Sequence, residues 1–363
     1  MRLLLTTDTV GGVWTFTKEL ASQLLASGCE VLLLSLGRLP SSEQVAAVEQ
    51  LSAQGLFQFV ASEAPLEWMP ANTEAYAAAE SVLLELCCEF QPDVLLLSQF
   101  CFGALPVAAA KIVIAHSDVL GWASAVGKAP LAEDLWLRTY RSLVRTGLNG
   151  AGAVVAPTRA MLDSLAANFN LPERAYVIPN GRSRPSNEHS VERQLQAVTA
   201  GRMWDPAKNL AILTQIYPSM PVLVAGENRA SKHGVEHLIL LGQTAEADLM
   251  RLFHESSVYI CASVYEPFGL APLEAALCGC AILANDIPSL REVWGDAALY
   301  FQDAQSLSDR LQMFAADPAF LAEARQHSYG RALHFTVQRM ADSYLRLIAS
   351  LTTDATRSEA RAA

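Results

Sequence analysis

Positive charge is missing from a long stretch of this 363-residue chain. Between Arg38 and Lys111 there is no lysine or arginine, while Glu43, Glu49, Glu63, Glu67, Glu74, Glu80, Glu85, Glu89 and Asp93 all fall there. Most of these carboxylates read as solvated helix faces. With a net charge of −11, the stretch argues against electrostatic attachment to nucleic acid or to anionic membranes. No apolar run reaches the length of a membrane span. Met1-Arg2, followed by Leu3–Leu5 and Asp8, is too short and too soon acidic for a signal peptide. The seven cysteines are odd in number, lie mostly in apolar runs and lack metal-type pair spacing. They read as reduced core thiols in a cytoplasmic protein. No histidine pair has convincing ligand spacing, and no Asp-x-Asp pair is suitably placed, so no metal and no cofactor are expected. The third glycine of the dinucleotide fingerprint is also absent after Gly11-Gly12, which disfavours an oxidoreductase.

What is present is a globular composition, 52% hydrophobic and 17% charged, and an alternation of short apolar runs with longer helical patterns. That alternation is the mark of βαβ units and parallel sheets. Candidate strands are Leu3–Thr6, Val31–Leu36, Phe57–Val60, Val94–Ser98, Ile112–His116, Ala153–Pro157 and Ala175–Ile178. The pattern breaks over the polar stretch Pro179–Arg193. It restarts with Ala197–Ala200, Val222–Gly226, Leu238–Leu241, Val258–Ala262, Ala281–Ala284 and Ala298–Phe301. The fold class is therefore α/β, with two Rossmann-like domains, residues 1–179 and 180–334, expected to face each other across a cleft. Ligands would bind outside the strand carboxyl ends. Residues 335–352 read as one amphipathic helix and 353–363 as a frayed polar tail.

The most informative segment is Ser263-Val-Tyr-Glu266-Pro-Phe268-Gly269-Leu270-Ala-Pro272-Leu-Glu274. It joins an apolar strand to a helix-forming run, Leu273–Cys278, whose first position suits Pro272. A strand end, a glycine turn and a helix start leave backbone N–H groups aimed one way, a ready anion site. Two carboxylates beside a phosphate must face something else, and hydroxyl groups are the obvious partners. A phosphate flanked by polyols describes a nucleotide sugar.

On these residues the chain resembles the retaining GT-B glycosyltransferases of family 4, also called group 1. The likeness is specific over residues 197–300 and looser over 1–180. It implies that Glu266 contacts donor-sugar hydroxyls and Glu274 the ribose hydroxyls, while Phe268, Gly269 and Leu270 present backbone N–H groups. It places Gly11 and Gly12, in the turn after the first strand, against the donor diphosphate. Arg202 and Lys208, at a strand end and the following helix start, match the family's cation pair for that diphosphate. His116, read as ending its strand, matches a histidine that touches the transferred sugar. The last helix would return to the N-terminal domain, which in this family binds the acceptor. Trp14 after the glycines and the turn Val224-Ala-Gly226-Glu227-Asn228 depart from the family pattern.

The expected function is metal-independent, retaining transfer of a sugar from a nucleoside diphosphate sugar to a soluble small-molecule or saccharide acceptor, by a hexosyltransferase. Same-face attack, with the leaving phosphate accepting the acceptor's proton, fits the lack of an obvious nucleophile. A phosphorylase, a sugar-nucleotide epimerase and a non-catalytic sugar-nucleotide-binding subunit stay open. A glycosidase is disfavoured, because Glu266 and Glu274 would sit around one phosphate instead of flanking a glycosidic bond. Base, sugar, acceptor, pathway and oligomeric state are not encoded legibly.

Overall fold

A computed structural model describes residues 1–70, 73–185, 192–227 and 237–362, with Thr73 and residues 353–362 as backbone only. Asn228, His189, His233 and the middle of the polar stretch (186–191) lie outside the described residues.

The chain forms two units. The first contains Met1–Gly121, Pro130–Gly181 and Val337–Ala363, the second Trp122–Ala129 and Arg182–Thr336. The first carries β1 (Arg2–Asp8), β2 (Glu30–Leu36), β3 (Phe57–Ala61), β4 (Val94–Leu97), β5 (Ala110–Ile114), β6 (Ala153–Ala156) and β7 (Ala175–Val177). They pair in the order β3-β2-β1-β4-β5-β6-β7, all parallel. The second carries β8 (Gln194–Ala200), β9 (Val222–Ala225), β10 (Leu238–Gly242), β11 (Ser256–Cys261), β12 (Ala281–Asn285) and β13 (Ala298–Phe301). Its order is β10-β9-β8-β11-β12-β13, again all parallel. Each sheet therefore reverses direction once, between β1 and β4 and between β8 and β11. Crevices at such switch points are where open α/β sheets bind ligands.

Side-chain alternation divides the second core. Tyr259, Cys261, Ile282 and Ala284 pack on one face with Leu273, Ala276 and Trp294. Val258, Ile260, Ala281 and Leu283 pack on the other with Phe301, Phe314 and Leu321. Burial on both faces is why these strands read as unbroken apolar runs.

Two boundaries differ from the sequence reading. The helix after β11 spans Leu270–Leu277, so Pro272 is its third residue; its missing N–H is still one of the first-turn groups with no intrahelical acceptor. The last helix runs Val337–Ala362 without a break, past the expected end at residue 352. Alanine, arginine and glutamate in Ala355–Ala362 favour that continuation. This helix packs on the first helix of the chain, Gly12–Ala26.

The short turn Phe100–Ala104 after β4 lies against the helix Leu135–Gly150 with no room for a side chain. A Cβ on Gly147 would stand 1.7 Å from the Phe100 carbonyl oxygen, and one on Gly103 2.2 Å from the Gly147 oxygen. Gly147→Ala must therefore move backbone, and should cost about 3 kcal/mol. Urea denaturation checks this; a loss below about 1 kcal/mol would show that the contact yields freely.

Candidate functional site

In the first unit the switch point is polar. The Asp8 carboxylate accepts the Val10 N–H at 2.7 Å, shaping the turn that carries Gly11 and Gly12. Gly11, with φ of +70°, precedes the first helix, and a side chain there would be strained. Just after β4, the Ser98 N–H donates to the Thr6 hydroxyl at 3.0 Å. Ser98 Oγ lies 3.2 Å from His116 Nε2. His116 stands two residues beyond the end of β5 instead of ending it, since the ladder with β6 closes at Ile114. Phe16 meets its ring edge-on at 4.6 Å. Burial lowers the imidazole pKa to about 4, so the ring is neutral at physiological pH.

Sequence reasoning missed Glu67. It belongs to the acidic stretch but is 3% exposed. Its carboxylate accepts the Phe100 N–H at 2.9 Å and the Cys101 thiol at 3.8 Å. Burial pushes its pKa up to about 7, against hydrogen bonds that favour the anion, and Asp8 adds repulsion. Nothing in the local sequence separates it from its solvated neighbours; its burial depends on the turn after β4, over thirty residues on. The side-chain carbonyl of Gln99 is also buried here, with no hydrogen-bond partner among the described residues.

The second unit gathers the remaining candidates at the carboxyl ends of β8 and β11. Gly201 and Gly226 let two turns touch: a Cβ on Gly226 would stand 1.8 Å from the Gly201 oxygen. Lys208 lies over Gly201, its Cε 3.2 Å from where that residue's Cβ would be. It ends a short turn, Pro206–Lys208, capped by Asp205 and followed by Asn209 in the left-handed conformation. The Lys208 ammonium donates to Glu266 Oε2 at 2.6 Å, and Ser263 Oγ donates to the same oxygen at 3.1 Å. Burial alone would lower the Lys208 pKa, but the Glu266 carboxylate outweighs it and the net shift is upward. Arg202 is half exposed, 3.4 Å from Asp205. The other Asp205 oxygen accepts the Trp122 indole N–H at 3.1 Å, so Trp122 steadies the turn that carries both cations.

Gly269, with φ of +93°, caps the helix Leu270–Leu277, and a Cβ there would meet Pro272 Cγ at 2.7 Å. Only glycine fits this turn. The Phe268 side chain is in the core against Phe335, leaving its backbone to face the turn. Glu274 is buried and accepts from Arg182 Nε at 2.8 Å; Arg182 also pairs with Glu246. Arg182 is the second residue missed. It stood in the polar stretch read as a linker, yet it is 8% exposed.

Among the described residues no cluster of three His, Cys, Asp or Glu could hold a metal ion. No helix among them is long and apolar enough to cross a membrane.

The family model described as Glycosyltransferase Family 4 matches residues 10–183, and that described as Glycosyl transferases group 1 matches residues 207–332. The chain belongs to the group 1, family 4 glycosyltransferases. The sucrose-phosphate synthase of Thermosynechococcus elongatus has the same fold, with a TM-score of 0.74 at 18% identity over 98% of this chain and 100% of that one. The two parallel sheets and their helices are thus the GT-B architecture. The alpha-maltose-1-phosphate synthase of Mycobacterium tuberculosis is 30% identical over 211 residues, 50% of this chain and 51% of that protein. The serotype-specific mannosyltransferase WbdA of Escherichia coli is 33% identical over 129 residues, 34% of this chain and 16% of that protein. The chain thus matches about half the length of the synthase and much less of WbdA. Within this chain, Arg202, Lys208, Glu266, Phe268, Gly269, Leu270 and Glu274 belong to one unit, and Gly11, Gly12 and His116 to the other.

Two buried groups of the first unit make stability depend on pH in opposite ways. The Glu67 carboxyl keeps its proton to about pH 7 when folded but loses it near 4.5 when unfolded, so its contribution falls as pH rises through that window. His116 takes a proton near 6.5 when unfolded but only near 4 when folded, so its contribution falls as pH drops. Each displacement corresponds to about 3 kcal/mol at full titration. Glu67→Gln keeps an acceptor for the Phe100 N–H and removes only the first slope. Relative to wild type, it should gain about 3 kcal/mol between pH 4.5 and pH 8. Denaturation at the two pH values checks this; an unchanged difference would mean Glu67 is ionised in the fold.

Proposed function

We propose that this chain transfers a sugar from a nucleoside diphosphate sugar to an acceptor, retaining the anomeric configuration and needing no metal. The observation that carries the reading is the Lys208–Glu266 pair, 2.6 Å apart, beside the Gly269 turn and the half-exposed Arg202. An ammonium has three donors. Lys208 commits one to Glu266 and keeps others for a phosphate oxygen. Arg202 is free to swing its guanidinium onto the diphosphate, and the helix start at Leu270 adds backbone N–H groups and the positive end of its dipole. Together they offset the charge that develops on the leaving diphosphate, the task a divalent cation performs elsewhere. Glu266 accepts from sugar hydroxyls. Glu274, oriented by Arg182, accepts from the ribose.

In the first unit, Gly11 and Gly12 are proposed as diphosphate contacts and His116 as a contact to the transferred sugar. His116 is neutral at physiological pH, so it would act as a hydrogen-bonding group and not as a charge. The unpartnered Gln99 carbonyl suits a ligand hydroxyl or amine at the same edge. The cation-free stretch between Arg38 and Lys111 favours a soluble acceptor, neutral or amine-bearing, and the cysteines, read as reduced core thiols, favour a cytoplasmic setting. The leaving phosphate would take the acceptor's proton as the new bond forms on the face the diphosphate vacates.

Donor hydrolysis and product analysis over UDP-, GDP- and ADP-sugars test the reading, since an epimerase would release no glycoside. Arg202→Ala and Lys208→Ala should each lower kcat by roughly 100-fold or more, with the unfolding midpoint little changed for Arg202→Ala. Wild-type turnover in both variants would remove the diphosphate site from this edge.

Activity should also survive EDTA. Complete loss on chelation, restored by Mg²⁺ or Mn²⁺, would show that the two cations do not suffice.

A further inference from the structure

The opposite edge of the second sheet holds two more arginines. Arg193, just before β8, donates to the carbonyls of Phe253, Ser256 and Cys278. Arg325, on the helix Pro318–Ala332, donates from Nε to the Gly279 carbonyl at 2.8 Å. These carbonyls end the helices Glu246–Glu255 and Leu270–Leu277. The arginines therefore satisfy orphan groups at two negative helix poles.

Their charge exceeds that need. Each helix end amounts to about half a negative charge, so two guanidiniums leave roughly one positive charge uncompensated. Among the described residues neither forms an ion pair with a carboxylate. The two terminal amino groups of Arg325 have no acceptor among the described residues. The guanidiniums also crowd each other: Arg193 Nη2 and Arg325 Nη2 lie 3.0 and 3.8 Å from the point where a Gly279 Cβ would stand. Burial lowers the Arg325 pKa, and repulsion from Arg193 lowers it further. Both arginines line a cavity of about 290 Å³ whose other walls include Leu195, Ser257, Phe314, Pro318 and Leu321.

We propose that this cavity binds a small phosphate monoester, its phosphate across Arg193 and Arg325 and its organic part on Phe314, Pro318 and Leu321. A phosphate supplies the missing negative charge, and its oxygens match the spare guanidinium N–H groups. The cavity is at the small end of ligand sites, which limits the organic part to about one ring. The site lies at the carboxyl end of the helix whose amino end forms the Gly269 turn, and it does not depend on the function proposed above.

The probe is phenyl phosphate at millimolar concentration, read by thermal unfolding and by ³¹P line broadening. Wild type should gain about 2–5 °C and broaden the phosphorus line. Arg325→Gln should lose both effects, and Arg325→Lys, which keeps the charge but not the fork, should weaken them. The double variant Arg202→Ala/Lys208→Ala should keep them, because its lesion lies on the other edge. No effect on wild type, an undiminished effect on Arg325→Gln, or loss in the double variant would each overturn the proposal and leave the arginines as helix caps alone.

Discussion

The ion pair between Lys208 and Glu266 is the constraint on which the second unit's chemistry rests. Both groups are largely withdrawn from water, with side chains 22% and 14% exposed, and neither would tolerate that position alone. Each fixes the other. Ser263 holds the same carboxylate oxygen, the Ser289 hydroxyl donates to the Glu266 carbonyl at 2.6 Å, and the Val264 N–H donates to the Ala207 carbonyl at 2.9 Å. The loop after β11 and the turn after β8 are therefore one polar assembly, built before any ligand arrives. Preorganisation of this kind is what makes fixed charges effective, since no reorientation is needed when charge develops.

The two units solve the same topological problem with different chemistry. In both sheets six strand positions run in the order 3-2-1-4-5-6, and both open a crevice where the order reverses. The first unit places at its crevice the Asp8 carboxylate, a Glu67 carboxyl whose pKa is raised to about 7, a neutral His116, and threonine and serine hydroxyls. The second lines its crevice with full charges already paired. Paired charges with spare N–H donors, as in the second crevice, suit an anion.

Sequence alone revealed the strands well and the polar supports poorly, for one reason. The strands among the described residues were legible as short apolar runs, a property local in sequence; the central ones, such as β1, β4, β6, β11 and β12, are buried along nearly their whole length, whereas β3, β7 and β10 are only partly buried. The glycines at 11 and 269 were legible because their turns are local too. Arg182 and Glu67 were not. Arg182 meets Glu274 across 92 residues and Glu67 meets Phe100 across 33, and no neighbour in sequence marks either contact. Trp122 escaped for the same cause, its partner Asp205 being 83 residues away. The last helix outran its expected end because the amphipathic pattern ends near Leu351, while the alanine, arginine and glutamate that follow keep helical propensity.

The helix Leu270–Leu277 connects the two charged edges of the second sheet. At eight residues it is only about 12 Å long, so the fields of its two poles overlap. Left alone, the negative pole at Cys278 would partly cancel the positive pole at Leu270. Arg193 and Arg325 neutralise that negative pole through the carbonyls of Cys278 and Gly279. The half-charge at the Gly269 turn then acts on a phosphate with less opposition. The helix is buried from Pro272 to Leu277, where water cannot screen the field between its ends. A charge bound at one edge would therefore be felt at the other through the field alone, without any movement of the backbone.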